Sequence, residues 1–264
     1  MGVSRRTKQK ELKKNFFAIA IIAIFAIVVF SINSIGNFIA TKIIQPVINL
    51  TETRNEKVVT NTLKTEKLTL YLLCAGEMPT EAEAETLKTF VCEKGGGGYV
   101  FQQDNSYYII HSVYKDKTKA EAKGQELSGE FSPLVITLNL EETVIKVTGK
   151  DTQLKTVYSC FSVLNDVALT LENTCNQINN GEISNLEAMK NLQKLKNSIS
   201  DGQQNLKELN SSNTKVLAIS DMLVLSQTLL NQMPASDDAT FKQRLNYTAC
   251  AYVCEFYKFY CSLE

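Results

Sequence analysis

A charge-free run of 17 residues, Phe16 to Ile32, follows a segment holding Arg5, Arg6, Lys8, Lys10, Lys13 and Lys14, and this pairing constrains the chain more than any other feature. The run FFAIAIIAIFAIVVFSI extends through Asn33, Ser34 and Asn37 to Ala40 if the helix tilts, long enough to span a bilayer. A cleavable leader would have a shorter apolar core and small residues at a cleavage site. Here the core is long, branched and aromatic, with no convincing A-x-A after it, so an uncleaved transmembrane helix is expected over 16–40 behind a basic tail over 1–15. The 26 residues after Ala40 dilute Lys42, Arg54, Lys57 and Lys64 with Glu52, Glu56 and Glu66. The positive-inside rule then places the N-terminus in the cytoplasm and the bulk of the chain outside the membrane.

The chain is formally neutral, and its first 14 residues carry six basic side chains against one acidic. The remainder is therefore mildly acidic. That argues against nucleic acid as a partner, since phosphate binding needs clustered Lys and Arg, and the basic tail reads as an orientation and lipid-headgroup signal. Seven cysteines, Cys74, Cys92, Cys160, Cys175, Cys250, Cys254 and Cys261, have no paired C-x-x-C spacing. They are read as small core residues for the most part, with one thiol necessarily unpaired within a monomer. Cys250 and Cys254, one helical turn apart and on a face with Cys261, leave a disulfide to a neighbour open.

Residues 41–66, polar, weakly periodic and containing Pro46, read as a spacer. From Lys67 the pattern changes. A strand over Leu68–Cys74 leads to Thr80 and Glu83 at capping-box spacing and a helix carrying Ala82, Ala84, Leu87, Phe90 and Val91. Four glycines, Gly95 to Gly98, end it; they trail a helix and no Lys-Ser/Thr follows, so they are not a phosphate loop. Two short strands, Tyr99–Gln102 and Ser106–Val113, flank the hairpin residues Asp104 and Asn105. A helix over about 116–128 and an extended run over 134–147 complete the order β-α-β-β-α-β. A shift of 36 residues superposes Tyr71 on Tyr107, Leu73 on Ile109, Ala84 on Ala120 and Glu85 on Glu121. Such a duplicated unit predicts an α+β domain over 67–149 with a four-stranded antiparallel sheet and both helices on one face, the ferredoxin-like split βαβ arrangement.

On these residues the segment from 67 to about 148 resembles the SPOR domain, a peptidoglycan-binding module of bacterial cell-division and sporulation proteins. The resemblance lies in Tyr71-Leu72-Leu73-Cys74-Ala75-Gly76-Glu77-Met78 and in Tyr107-Tyr108-Ile109-Ile110-His111-Ser112-Val113-Tyr114 running into an Ala-containing helix. It covers about a third of the chain. Where the family usually has a Gln on the first strand this chain has Cys74, no Arg accompanies Tyr108, and a Gly is replaced by Ser112. The resemblance implies glycan binding by the sheet and targeting to division or sporulation septa.

Alternation sharpens the expectation. If Tyr71 and Leu73 point to the helices, then Leu70, Leu72 and Cys74 line the other face with Tyr108, Ile110 and Ser112. A face so apolar is rarely left wet, so an element of this chain or a partner covers it, or Tyr108 serves as a stacking platform for a sugar. Leu72, Cys74, Tyr108, Ile110 and Ser112 are thus the candidate glycan- or partner-binding residues.

Beyond residue 150 the chain is helical. Leu154, Val157, Tyr158, Phe161, Leu164, Ala168, Leu171, Cys175 and Ile178 form one stripe, and further stripes run from Leu186 to Leu209, Leu217 to Leu230 and Phe241 to Leu263. Short connections make them an antiparallel bundle over 150–264. One of its surfaces can cover the sheet. The last helix, with Tyr252, Phe256, Tyr257, Phe259 and Tyr260, is more aromatic than one core stripe needs, which suits bundle core or a docking surface.

The only histidine, His111, lies within a strand beside Ser112 with no acidic residue placed to orient it, so no catalytic triad is read there. No cofactor, metal or enzymatic activity is expected. The chain reads as a noncatalytic envelope protein whose partners are the lipid bilayer, envelope proteins and peptidoglycan; the alternative is a structural or assembly subunit that uses the same domains for protein contacts without binding glycan.

Overall fold

The computed structural model describes residues 58–209 and 211–263. The basic tail, the 16–40 segment and most of the spacer lie outside them. Among the described residues, no helix is long and apolar enough to cross a membrane.

The elements are β1 (Val58–Lys64), β2 (Leu68–Met78), α1 (Glu81–Glu93), β3 (Tyr99–Gln103), β4 (Ser106–Tyr114), α2 (Lys117–Leu127), β5 (Leu134–Leu140), β6 (Val144–Lys150) and four long helices. These are α3 (Asp151–Asn179), α4 (Asn185–Leu209), α5 (Thr214–Asn231) and α6 (Phe241–Cys261). The expected β-α-β-β-α-β order is present as an antiparallel sheet in the order β3-β4-β2-β5. Thr80 caps α1, accepting from the Glu83 N–H and donating its hydroxyl to the Glu83 carboxylate at 2.8 Å. Asp104 and Asn105 both take positive φ, 49° and 67°, the twist that a two-residue hairpin turn requires.

Two features depart from the sequence reading. The last part of the spacer is a strand, β1, and the run over 134–147 is divided into β5 and β6. Both have one cause. Leu68 faces Leu140 across the β2–β5 ladder and, in the same register, Lys64 faces Val144 across β1–β6. The two strand paths therefore run on together and splay apart at Thr65–Lys67 and Glu141–Thr143. There Thr65 donates its N–H to the Thr143 carbonyl at 3.0 Å, and its hydroxyl accepts the Thr143 N–H at 2.8 Å. Outside the splay, Lys64 and Lys67 pair with Glu142 and Glu141.

Helices α1 and α2 lie on one sheet face, where Ala84 and Val91 meet Ala75 and Ile109, and Ala120 meets Leu73 and Tyr114. The four long helices lie on the other. α3 and α6 touch the sheet, while α4 and α5 complete the bundle behind them. Leu70, Leu72, Phe101, Ile110 and Leu138 share one continuous core with Leu171, Leu223, Leu245 and Phe256. Sheet and bundle thus share one core, and Val58–Glu264 is a single compact unit. Tyr158, placed on the buried stripe by its spacing, is 52 % exposed.

Candidate functional site

The face picked out by alternation is closed. Leu72, Cys74 and Ile110 are each 0 % exposed, covered by α3 and α6 of the same chain. Tyr108 is half-buried at the margin, packed against the same core. α6 explains its own aromatic excess: lying between the sheet and the rest of the bundle, it is buried around nearly its whole circumference, from Phe241 through Asn246, Cys250, Tyr252, Cys254 and Phe256 to Tyr260. Tyr252 donates to the Leu164 carbonyl at 2.7 Å and stacks on Phe256 at 5.7 Å between centroids.

Ser112 is on the opposite face from the one expected. The β2–β4 ladder passes from Leu73 opposite Ser112 to Cys74 opposite Ile110, leaving His111 as an extra residue on β4, and then to Gly76 opposite Ile109, leaving Ala75 as an extra residue on β2. Each bulge flips the side-chain parity beyond it. Ser112 therefore joins Leu73 and Tyr114 on the α1–α2 side, 4 % exposed, with its hydroxyl 3.3 Å from the Tyr114 hydroxyl and 3.0 Å from His111 Nδ1. His111 lies edge-on to Phe131, 7 % exposed. Burial, with Lys123 nearby, pushes its pKa down to about 4, so the ring is neutral. A neutral, enclosed imidazole with a hydroxyl neighbour and, among the described residues, no carboxylate partner has the environment of a packed core histidine.

Within the four-glycine run, Gly97 lets the bundle close on the sheet. Gly95 ends α1 with φ +84°, and its carbonyl accepts from Asn246 Nδ2 of α6 at 2.8 Å. Gly97 and Gly98 donate to the carbonyls of His111 and Ile110. A Cβ on Gly97 would lie 2.7 Å from Cys250 Sγ and 3.0 Å from the Asn246 carbonyl oxygen, so only glycine admits the main chain of α6 at this distance.

Polar contacts rim the seam. Tyr99 donates to the Glu255 carboxylate at 2.6 Å; burial and this acceptor hold the Tyr99 hydroxyl protonated far above its usual range. Burial opposes the Glu255 charge, yet Lys258 at 2.7 Å and Tyr99 outweigh it and lower that pKa. On the α3 side, Glu172 accepts the Lys115 N–H at 2.8 Å and Asn176 Nδ2 at 2.7 Å, with its pKa raised by burial. At the splayed end, Tyr260 bonds both the Thr65 hydroxyl and the Glu66 carbonyl. Spacing did not single out Glu172 or Asn246, although each is a polar residue at a buried position of an apolar stripe, a pattern that marks a specific bond.

Cysteines are concentrated here. Cys74 on β2, Cys175 on α3 and Cys250 and Cys254 on α6 are buried in the shared core, and burial raises all four pKa values. Cys92 is half-buried beside Gly97 and Gln243, Cys160 lies buried within the bundle, and Cys261 is exposed. All seven are free thiols. Facing the core, Cys250 and Cys254 therefore do not share the exposure of Cys261.

No protein-family model matches the chain, and a search of curated proteins finds no match. Among solved structures, the chain is similar to the solution structure of the peptidoglycan-binding domain of the B. subtilis cell wall lytic enzyme CwlC. The identity is 22 % over 28 % of this chain and 94 % of that one, with a TM-score of 0.24. At that score the superposition is too loose to carry function from one chain to the other.

Proposed function

We propose that this chain is a noncatalytic, membrane-anchored protein of the bacterial cell envelope, oriented with its N-terminus in the cytoplasm and working outside the membrane through protein contacts. One observation carries this reading: the sheet face that would have to meet a glycan is filled by α3 and α6 of the same chain, leaving Leu72, Cys74 and Ile110 no solvent. An α+β unit sealed in this way is a structural half of a larger rigid body, and it presents its outer helices and its edges to other proteins.

A second reading, peptidoglycan binding at division or sporulation septa, is favoured by one place on the surface. At the hairpin end of the sheet, Tyr108 is half-exposed on the face of Glu77, its partner across the β2–β4 ladder, and Ser106 donates to the exposed Glu77 carboxylate at 2.5 Å. An aromatic ring beside a carboxylate and a hydroxyl suits a sugar. Co-sedimentation of residues 58–264 with purified peptidoglycan, intact and stripped of stem peptides by amidase, separates the two. The contact reading expects no saturable binding to either. Saturable binding to stripped glycan that is lost in Tyr108→Ala would replace it with the wall-targeting one.

A further inference from the structure

The geometry points to β5 as the seam of a two-fold dimer, in which the β5 edges of two copies of this chain pair antiparallel about Thr137 and join their sheets. Among the described residues, β5 is paired only on its β2 side, so every second residue turns its backbone N–H and C=O away from the sheet. Edge strands are ordinarily guarded by charge, proline, a bulge or brevity. β3, the opposite edge, is five residues long, with Tyr99 tied to Glu255 and Lys258 over the Phe101 ring, so α6 attends it. β5 reads LVITLNL and has none of these guards: seven residues, no charge, no proline and an unbroken register with β2.

What fits an unguarded ladder is another strand, and three features select a second copy. The first is the sequence of β5, which is self-complementary about its centre. With Thr137 opposite Thr137 of the second copy, Ile136 meets Leu138, Val135 meets Asn139 and Leu134 meets Leu140, so the apolar face stays apolar on both sides of the axis.

The second is the gradient of burial along the strand. On the bundle side, Leu138 and Leu140 are each 1 % exposed, whereas Leu134 and Ile136 are half-open. The rows Val113–Leu72–Ile136 and Ile110–Cys74–Leu134 are thus sealed across two strands and open at the third. The two-fold sets the covered half of one strand against the open half of the other, and each row continues into the second copy.

The third lies on the opposite face. A groove of about 550 Å³ runs between α2 and β5 over Leu73, Gly124, Pro133 and Val135. The register Val135–Asn139 places an amide of the second copy beside it. A seam of one strand per copy is smaller than a standard interface, so the dimer is concentration-dependent. This inference stands on the edge strand alone, whichever reading of the sealed face is correct.

The test uses the full chain in detergent, with exposed Cys261 and half-buried Cys92 changed to Ser and a copper–phenanthroline oxidant supplying disulfide formation. Thr137→Cys cross-links with itself, since Cα atoms across an antiparallel pair lie about 4.5–5.5 Å apart, within disulfide reach. Val135→Cys and Asn139→Cys each give no cross-link alone and cross-link when mixed. Thr137→Lys places two like charges on the axis and abolishes the dimer in light scattering at concentrations where the parent chain has twice the monomer mass, while its melting curve matches that of the parent chain diluted to monomer. A parent chain that stays monomeric, or a Thr137→Cys cross-link no faster than that of Thr89→Cys on the exposed side of α1, overturns the proposal.

Discussion

Gly97 offers the sharpest test of how the sheet face is closed. Its φ is not in the left-handed region, so replacing it with alanine adds a methyl group without straining the local backbone. That methyl would stand 2.7 Å from Cys250 Sγ and 3.0 Å from the Asn246 carbonyl oxygen. The sulfur sits on a short buried side chain and the oxygen on the main chain of α6, so relief requires the helix to move off the sheet. Overpacking of this kind costs about 1–3 kcal/mol, and with main chain involved the upper part of that range, about 2–3 kcal/mol, is expected. For a unit of this size that lowers Tm by about 4–12 °C. In a Cys250→Ala background the closer contact is gone and the cost of Gly97→Ala falls to about 1 kcal/mol, a coupling of about 1–2 kcal/mol in the double-mutant cycle. Gly95→Ala is the control. Its φ of +84° makes alanine unfavourable by about 1 kcal/mol through the backbone, with nothing within 4 Å to clash, and it does not couple to Cys250. Chemical denaturation of residues 58–264 measures all of these. A neutral Gly97→Ala, or a cycle that is additive, would refute the close approach of α6 and with it the sealed face.

The depressed His111 pKa sets a pH dependence with a definite sign. The unfolded chain binds a proton near pH 6.5 while the folded ring stays neutral to about pH 4, so stability falls as pH drops through that window and levels off below it. At pH 5 this amounts to about 2 kcal/mol relative to pH 8, and the loss is absent in His111→Gln when wild type and variant are unfolded in parallel; equal pH profiles would contradict a buried neutral ring. Thiol labelling of the reduced native chain should modify Cys261 at once, Cys92 slowly, and Cys74, Cys160, Cys175, Cys250 and Cys254 only on unfolding. Rapid labelling of Cys74 or Cys250 would mean that the seam opens.

The elements were legible because each obeys one period over a sufficient length. α3 and α6 begin and end within a few residues of the bounds read from their stripes, and the Thr80 cap and the Asp104–Asn105 turn carry local chemistry that needs no tertiary partner. Illegible features depend on relations between distant residues. β1 is a polar strand whose ladder partner among the described residues lies 80 or more positions away in β6, so no local alternation announces it. Ser112 is assigned to the wrong face by strict alternation because the bulges at His111 and Ala75 can be detected only once β2 and β4 are laid side by side.

The candidate site divides along the same line. By itself the sequence determined that Leu70, Leu72, Cys74 and Ile110 share a face, that this face is too apolar to stay wet, and that the last helix is too aromatic for a single stripe, because parity and composition are properties of the chain alone. Only the tertiary structure decided that these two surplus apolar surfaces cover each other. Mutual burial is a property of shape and distance: it depends on Gly97, which lets α6 approach, on a helix buried around most of its circumference, and on polar contacts such as Tyr99–Glu255 and Lys115–Glu172 that join residues 156 and 57 positions apart. Hydrophobic burial is non-directional, so a sequence can require that a surface be covered without stating what will cover it.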